Sequence, residues 1–293
     1  MPLRLAVATC DAIPGIHADD ALLHVALAAL GVEAVPCIWS DPAIDWARFD
    51  AVLIRTTWDY FQRYADFMAW LDQLPVPTIN DRALLRWNSN KRYLPQLQAL
   101  GVATIPTQLA SGRDLLAFLE DATGRELVIK PTVSGGAWHA VRGRVGAADF
   151  DAAVRRLPVE FDYLVQDFVP EVVRDGEWSL LYFDGEFSHA VLKRAAAGDF
   201  RVQAQFGGSE EGRDPGANML ASADAALRAT AACGHADPAY ARVDGVVVGG
   251  HFMLMELEMI EPHLFFAHRP AAAERFAEGL VRRLRAMRDI RAA

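Results

Sequence analysis

The sequence predicts an α/β protein made of a parallel N-terminal sheet followed by α+β subdomains. Strand and helix patterns alternate over residues 1–80, which is typical of parallel strands joined by crossover helices. From residue 81 the pattern changes to paired short helices, hairpins and a glycine-bearing loop. We therefore expect an N-terminal α/β domain at residues 1–85, a central subdomain at 86–165 and a C-terminal subdomain at 166–293.

The composition is that of an ordinary globular protein, with 293 residues, 52% of them hydrophobic and 23% charged. The net charge of −9 argues against duplex nucleic acid as a partner, because neutralising phosphates needs a basic surface. Three widely spaced cysteines, Cys10, Cys37 and Cys233, favour neither a disulfide framework nor a zinc cluster. No apolar run reaches the length of a membrane span, so we expect a cytoplasmic protein without a membrane or nucleic-acid partner.

Five elements are predicted in the N-terminal domain. Strands are expected at 4–9, 33–39 and 50–58, and helices at 19–30 and 61–74. Gly31 and Pro75 end the two helices. No G-x-G-x-x-G follows the first strand, which disfavours a nicotinamide-binding protein.

The segment R-T-T-W-D-Y closes the third strand and contains the candidate ligand-binding residues Arg55, Trp58, Asp59 and Tyr60. Parallel α/β sheets bind ligands at the carboxyl ends of their strands, so we expect these side chains to recognise the substrate. The alternative interpretation is an aromatic loop packed against the next domain.

The central part is predicted to begin with two short helices within residues 81–100. Strand 102–107, helix 111–122 with Ser111 as its N-cap, strand 126–131, helix 149–157 and strand 163–169 follow in order. A glycine-bearing loop at 132–143 separates the second of these strands from the next helix.

Lysines are scarce in this chain, since the 29 basic residues are 26 Arg and three Lys. Arginine serves a solvated surface as well as lysine does, so a retained lysine points to a place that needs its compact ammonium. Lys130 ends an apolar strand just before Ser134, Gly135 and Gly136, where backbone N–H groups can approach a phosphate. The alternative is a plain turn, because the P-loop spacing G-x-x-x-x-G-K-[ST] is absent.

The C-terminal part is predicted to contain two hairpins and two helices. The hairpins span 176–194, turning at Asp184 and Gly185, and 241–259, turning at Gly249 and Gly250. The helices are expected at 219–233 and 271–288. Residues 195–217 are expected to form a long loop.

The second hairpin carries Arg242, Asp244, Glu256 and Glu258 within 17 residues. A two-residue turn would place Asp244 opposite Met255, away from the glutamates, whereas a three-residue loop would place it opposite Glu256. We predict the three-residue loop and one shared face. Three carboxylates there would repel by about 4 kcal/mol for each pair about 4 Å apart, unless Mg2+ lay between them. The alternative is a solvated sheet face with alternating acids.

Taken in order, these segments resemble the ATP-grasp superfamily of carboxylate–amine ligases over residues 91–262. The resemblance matches Lys91, in N-S-N-K-R-Y-L, to the lysine that opens the nucleotide domain, Lys130 to the phosphate-loop lysine and Lys193 to a third lysine. It assigns adenine contacts to the segment that contains Gln166, Asp167, Phe168, Val169 and Glu171. The acid pattern R-x-D, then E-x-N and Pro, matches Arg242, Asp244, Glu256, Glu258 and Pro262.

Within the superfamily, D-F-R-V-Q-A-Q-F-G-G-S resembles a segment of glutathione synthetase, with Arg201 and Gln203 at its Arg and Asn positions. The segments R-T-T-W-D-Y, G-E-W-S-L-L-Y-F-D-G and E-L-E-M-I-E-P-H-L-F are most similar to the D-cycloserine-forming ligase group. Two positions depart from the superfamily pattern. Glu258 replaces the usual Asn, and Gln166 stands where many relatives have an acid.

The resemblance implies an ATP-grasp fold behind a Rossmann-like N-terminal domain, with ATP and Mg2+ as cofactors and Mn2+ as an alternative metal. Phosphates would be held by Lys91, Lys130, Ser134, Gly135 and Gly136, and the metal by Asp244, Glu256 and Glu258. Arg242 and Lys193 would neutralise charge on the transferred phosphoryl group. Arg201, on the loop at 195–217, would cap the site against water.

The implied reaction joins a carboxylate to an amine through an acyl phosphate and releases ADP. The substrate would be an amino acid, an amino-acid derivative with a cycloserine-like cyclised product, or a small peptide, and a homodimer stays open. Two other functions are alternatives: an ATP-grasp phosphotransferase, and a non-catalytic nucleotide-binding protein. The full set of three acids and three lysines argues against the second alternative.

Overall fold

The computed structural model describes residues 2–292. Its N-terminal sheet has four parallel strands in the order β2-β1-β3-β4: β1 (Leu3–Thr9), β2 (Val32–Ile38), β3 (Ala51–Ile54) and β4 (Thr78–Ile79). Helices α1 (Ala21–Ala29) and α2 (Tyr64–Gln73) connect the strands. The predicted parallel sheet and both helices are confirmed, and each helix follows a turn of 3-10 helix, at Ala18–Asp20 and Tyr60–Arg63.

The third strand is shorter than the sequence predicted, because it ends at Ile54 rather than at residue 58. The N–H groups of Arg55 and Thr56 both donate to the carbonyl of Ala8, at 3.1 and 3.2 Å. The chain therefore turns out of the sheet at Arg55, and the residues that follow lie at the carboxyl end of β1 and β3.

Two short helices, α3 (Arg82–Asn88) and α4 (Tyr93–Ala99), follow the parallel sheet as predicted. The Asp81 carboxylate caps α3 by accepting the N–H of Leu84 at 2.8 Å. The turn between the helices carries Ser89, which is fully buried, and Lys91.

The central sheet is antiparallel, in the order β5-β8-β6-β7: β5 (Thr107–Ser111), β6 (Glu126–Pro131), β7 (Val141–Arg144) and β8 (Asp162–Asp167). Helices α5 (Leu115–Glu120) and α6 (Ala148–Val154) pack on this sheet through a cluster that includes Leu115, Leu119 and Phe150.

Three predictions in this region are wrong. The glycine-bearing loop expected at 132–143 ends earlier, because β7 begins at Val141 and pairs with β6. The strand expected at 102–107 begins only at Thr107, because the backbone at Ala103 and Ile105 bonds instead to Leu254 in another sheet. Ser111 is not the N-cap of α5, which begins after Asp114. The Ser111 hydroxyl accepts the N–H of Asp114 at 3.2 Å and closes a turn before the helix.

The third sheet is antiparallel, in the order β11-β10-β9-β12-β13: β9 (Glu177–Phe183), β10 (Glu186–Arg194), β11 (Ser209–Gly212), β12 (Tyr240–Val248) and β13 (His251–Glu258). Helices α7 (Glu171–Arg174), α8 (Ala217–Ala232) and α9 (Ala271–Ala292) accompany it. Both predicted hairpins are confirmed. The loop expected at 195–217 is corrected, since it contains β11, which pairs with β10 and widens the sheet.

Polar side chains fasten the parallel sheet to the third sheet. The Asn80 amide donates to the carbonyls of Tyr240 and Met259 at 3.0 and 2.8 Å and accepts the N–H of Ala239 at 2.7 Å. The Asp19 carboxylate accepts the N–H groups of Leu264, Phe265 and Phe266 at 2.7 to 3.2 Å. These bonds hold the carboxyl end of the parallel strands beside the end of β13. Within residues 2–292, none of the helices is long and apolar enough to cross a membrane.

Candidate active site

The acidic side chains of the second hairpin lie on one face, but not for the reason that the sequence suggested. Gly249 and Gly250 form a two-residue turn with positive φ at both positions, and Val248 pairs with His251. The predicted three-residue loop is therefore wrong. A β-bulge at Met255 shifts the register further along, so that Asp244 pairs with Glu256 as expected.

Gly245 lies opposite this bulge and makes the shift sterically feasible. A Cβ at Gly245 would stand 2.4 Å from the ring of Phe252 and 2.5 Å from the carbonyl oxygen of Met253. Only glycine lets the two strands approach this closely. The consequence is that Arg242 faces Glu258, Asp244 faces Glu256, and all four side chains share one face.

Arg242 is the centre of this group and is 8% exposed. Its Nε donates to both oxygens of Asp244 at 3.0 Å, its Nη2 bonds to Glu258, and its Nη1 donates to the carbonyl of His263 at 3.2 Å. The Asp244 carboxylate also accepts the Ser179 hydroxyl. Every nitrogen of this guanidinium therefore has a partner.

The three lysines near the acids differ in their bonding partners. Lys193 donates to Glu177 at 2.5 Å and lies 3.6 Å from Asp244. Lys91 pairs with Glu256 at 3.1 Å and also donates to the carbonyl of Ser134. The Lys130 ammonium makes no hydrogen bond or ion pair with any residue that the structure describes.

Burial and neighbouring charges shift the pKa values of these groups in different directions. Burial and the nearby Glu256 and Asp244 raise the pKa of Glu258 to about 7, against the opposing pull of Arg242. Burial and Glu258 raise the pKa of Glu261 to about 8. For Lys130, burial lowers the pKa against the opposing attraction of Glu256, and the Lys91 ammonium adds to the lowering. The site therefore contains two carboxyls that change charge near neutral pH.

The glycine loop directly follows β6, as predicted, and contacts Lys91. The Ser134 hydroxyl donates to the carbonyl of Pro131 at 3.0 Å, and Gly136 has a φ of +56°. Gln205 reaches over this loop, with its amide nitrogen 3.2 Å from the place of a Cβ at Gly136. Part of the segment at 195–217 thus covers the glycine loop.

The segment assigned to adenine contacts has side chains that already have protein partners. Gln166 donates to the Thr107 hydroxyl at 2.7 Å, and Asp167 pairs with Arg125 at 2.7 Å. The Phe168 ring carries the Arg142 guanidinium 3.4 Å from its centroid. Beyond β8, Val169 packs against a small apolar cluster, and Glu171 pairs with Arg174 at 3.3 Å. The backbone of this segment joins the central sheet to the third sheet.

Arg201 is not brought to the acids. Its guanidinium pairs with Asp199 at 2.7 Å and stacks 3.7 Å above the Phe206 ring. Both partners belong to its own loop, so the guanidinium serves local structure in this conformation.

The four candidate substrate residues separate into two pairs. Asp59 pairs with Arg63 at 2.7 Å and accepts the Trp39 indole N–H at 2.8 Å, while Tyr60 is buried among aromatic rings. These two side chains contact residues of their own domain, Trp39, Arg63 and Phe67, rather than the next domain. The Trp58 indole donates to the carbonyl of Glu261 at 3.0 Å and so touches the acid side of the site.

Arg55 is 2% exposed and pairs with Asp20 at 2.9 Å through Nε and Nη2, but its Nη1 has no partner among residues 2–292. The hydroxyls of Thr9, Thr56 and Thr57 are also buried without a hydrogen-bond partner. These three threonines were missed by the sequence analysis, although the T-T pair directly after Arg55 was a signal that could have found them. These four groups belong to residues at the carboxyl ends of β1 and β3, where the strand order of the parallel sheet reverses.

The acids have the right chemistry for magnesium but are not a finished metal centre. Mg2+ prefers carboxylate and phosphate oxygens. Within residues 2–292, no three His, Cys, Asp or Glu side chains are already arranged as a metal-binding group. Asp244, Glu256 and Glu258 are instead neutralised by the chain's own cations.

Comparisons with known proteins assign the class. A family model described as the N-terminal domain of D-cycloserine synthetase DcsG matches residues 5–80. The cycloserine biosynthesis protein DcsG of Streptomyces lavendulae is 34% identical over 290 residues, covering 92% of this chain and 95% of that protein. A crystal structure of D-cycloserine synthetase DcsG matches with a TM-score of 0.85 and 34% identity, over 96% of this chain and 99% of that chain. A D-alanine–D-alanine ligase of Bacillus anthracis complexed with ATP shares the fold, with a TM-score of 0.69 and 19% identity over 98% of this chain and 99% of that chain.

The fold, the clustered acids and lysines, and these relatives define an ATP-grasp carboxylate–amine ligase. The chain belongs to the family of D-cycloserine synthetase DcsG. The predicted resemblance to glutathione synthetases is also confirmed over part of the chain. Enzymes of this class use ATP and Mg2+ and act on small molecules.

Proposed function

We propose that this ligase activates the carboxylate of an amino-acid derivative as an acyl phosphate and closes it onto an amine-like nitrogen of the same molecule. The observation that supports the proposal most strongly is the shared face of Arg242, Asp244, Glu256 and Glu258, lying between paired lysines and the Trp58 side of the parallel sheet. The relative DcsG is a cycloserine biosynthesis protein, which supports a cyclised product.

ATP would lie between the central and third sheets. The triphosphate would contact Lys91, Lys130, Ser134, Gly135 and Gly136, and the base would contact the segment containing Gln166, Asp167, Phe168, Val169 and Glu171. Lys130 is the strongest of these candidates, because its partly buried ammonium makes no hydrogen bond or ion pair with residues 2–292 and would gain a charged hydrogen bond from a phosphate.

Asp244, Glu256 and Glu258 would hold Mg2+, which neutralises phosphate charge when it is bound. Their carboxylates would exchange cationic partners for the metal, and phosphate oxygens would complete its ligands. Glu258 in place of the usual Asn adds one negative charge once it ionises. Mn2+ would fit the same oxygen ligands.

Phosphoryl transfer needs positioning and charge neutralisation more than covalent chemistry. Arg242 is rigidly held on three sides and would stabilise the oxygens of the transferred group and of the acyl phosphate. Lys193 would assist from the next strand; although burial opposes it, Asp244 and Glu177 raise the pKa of Lys193 and keep it charged. Arg201 would close over the site once its loop rearranges, which excludes water from the acyl phosphate.

The substrate would lie at the end of β1 and β3. The Arg55 Nη1 and the hydroxyls of Thr9, Thr56 and Thr57 offer hydrogen bonds that no protein group uses. A polar group of the substrate that accepted these bonds would recover their desolvation cost, which is about 1–3 kcal/mol for each buried unpaired group. Trp58 would form the adjoining wall. Asp59 and Tyr60 would act indirectly, by holding the loop.

The protein would be organised in three parts around the site. A Rossmann-like N-terminal domain at 1–85, a central subdomain at 86–165 and a C-terminal subdomain at 166–293 would enclose the site. All three cysteines are free, which supports a reducing compartment such as the cytoplasm. A homodimer is the remaining proposed partner.

The direct test measures ADP formation with Mg-ATP against amino acids, amino-acid derivatives and dipeptides, and follows the products by mass. A compound that raises ADP release and gives a product of its own mass minus one water supports ring closure. A product with the summed mass of two molecules minus one water supports ligation between molecules. A product that gains phosphate would support a phosphotransferase instead. Failure to bind Mg-ATP would overturn the whole proposal.

A further inference from the structure

Phe61 and Tyr64, on the first turns leading into α2, pack against the core of the N-terminal domain and also contact residues of the central part, Trp138 and Ser89. They are three residues apart, across a 3-10 turn in which side chains at that spacing lie one above the other. The next residues of the helix, Phe67, Met68 and Leu71, are buried in the domain's own core.

The Phe61 ring supports the glycine loop directly. A Cβ at Gly135 would stand 2.8 Å from Cε1 and 3.0 Å from Cδ1 of this ring, so the backbone rests on the aromatic edge. Trp138, further along the same loop, packs against Phe61 with ring centroids 5.3 Å apart. Val133, near the start of the loop, packs against the core cluster that contains Phe67, Met68 and Leu71. The glycine loop thus contacts the Phe61 ring at two places, Gly135 and Trp138.

Tyr64 supports the second phosphate-binding segment. Its hydroxyl bonds to the Ser89 hydroxyl at 2.8 Å, and Ser89 is fully buried in the turn that leads to Lys91. That turn is in contact with the glycine loop, since the Lys91 N–H donates to the carbonyl of Thr132 at 2.7 Å and the Lys91 ammonium donates to Ser134. The two aromatic side chains therefore touch the two segments that Lys91 ties together.

We propose that Phe61 and Tyr64 are positioning residues for the triphosphate: the N-terminal domain holds the glycine loop and the Lys91 turn in one fixed arrangement. This inference rests on the proposed function, because it assumes that the loop and Lys91 bind ATP phosphates. Neither side chain would touch the nucleotide. Their effect would be preorganisation, which lowers the cost of ordering the loop when ATP binds.

The test measures binding of Mg-ATP and of AMP to the full chain by calorimetry. Phe61→Ala removes the ring that contacts the glycine loop and should weaken Mg-ATP binding by about tenfold. Tyr64→Phe removes one hydrogen bond and should weaken it by about threefold. AMP lacks the outer phosphates, so its affinity should change less than twofold or so in both variants. Phe61→Leu, which keeps most of the bulk, should restore most of the Mg-ATP affinity.

Phe118→Ala is the matched control, since Phe118 is also a partly buried phenylalanine but packs on the cluster of the central sheet. It should lower thermal stability without changing the ratio of Mg-ATP to AMP affinity. If Phe61→Ala weakens both ligands equally, or neither, the positioning role is overturned while the proposed function stands. If the unaltered protein binds no Mg-ATP, the proposed function falls and this inference falls with it.

Discussion

Two buried arginines, Arg242 on the acidic hairpin and Arg55 after β3, differ in how completely they are bonded. Arg242 uses all three nitrogens on Asp244, Glu258 and a carbonyl. Arg55 uses two nitrogens on Asp20 and leaves the third unpartnered, beside three threonine hydroxyls in the same condition. Buried groups with hydrogen-bond partners stabilise the fold. Buried groups without partners lower its stability, and a ligand that bonded to them would recover that cost.

The largest expected effect comes from breaking the bonded cluster. Arg242→Met leaves the partly buried Glu258 without its cation and the buried Asp244 with Lys193 alone, which should lower the free energy of unfolding by about 3 kcal/mol and abolish ligation. Urea denaturation checks the first effect. Arg275→Met, which breaks an exposed pair with Glu186, should cost at most about 1 kcal/mol. Equal costs for the two variants would contradict the comparison.

Removing Lys130 should change stability little and Mg-ATP affinity strongly. Lys130→Met breaks no hydrogen bond or ion pair with the described residues and loses only the longer-range attraction to Glu256, so stability should fall by at most about 1 kcal/mol. Its affinity for Mg-ATP should fall about 10- to 100-fold, the value of one charged hydrogen bond. Lys91→Met provides the contrast, because it breaks the ion pair with Glu256 and should lose stability as well as affinity. A large stability loss in Lys130→Met would sink the distinction.

Glu258 should make the bonded cluster sensitive to pH. Its pKa in the folded chain is about 7, above its ordinary value of 4.5, so the folded state holds a proton that the unfolded state releases. That stabilisation is fully present below about pH 4.5 and is lost as the pH rises through about 7. Without metal, unfolding free energy should therefore fall between about pH 5 and pH 8, and fall less in Glu258→Gln.

Mg2+ sharpens the same prediction, because the metal requires the ionised carboxylate. Addition of Mg2+ with ADP should stabilise the unaltered protein more at about pH 8 than at about pH 6, and this difference should shrink in Glu258→Gln. Parallel pH profiles for the two proteins would show that Glu258 does not titrate in this range.

The smallest expected effect belongs to the threonines. Thr56→Val removes a hydroxyl that has no partner, so it should leave stability unchanged or raise it by about 1 kcal/mol. Thr230→Val removes a hydroxyl bonded to the carbonyl of Leu227 at 2.6 Å and should lower stability by about 1 kcal/mol. With a substrate in hand, Thr56→Val should raise its KM by about fivefold, whereas Thr230→Val should not.

Local sequence patterns predicted most of the elements near the site. Alternating strands and helices predicted the parallel sheet, and the pairs at Asp184–Gly185 and Gly249–Gly250 predicted both hairpin turns. The bulge at Met255 could not be predicted, because it depends on how Gly245 and Phe252 pack across two strands. The shared acidic face was therefore expected correctly from a wrong turn length.

Side-chain partners were harder to predict than positions. Lys91 and Lys193 lie beside the acids as the motif implied, yet Arg201 pairs with Asp199 in its own loop. Asp59 and Tyr60 are adjacent in sequence to Trp58 but turn into the domain. Such choices depend on tertiary packing, which sequence spacing does not contain.

The most direct test of the central claim follows oxygen. Once the mass screen supplies a substrate, its carboxylate oxygens are labelled with a heavy isotope and the released phosphate is weighed after turnover with Mg-ATP. Activation through an acyl phosphate predicts that one labelled oxygen leaves with each phosphate. Unlabelled phosphate would show that the carboxylate never attacked ATP and would contradict the account.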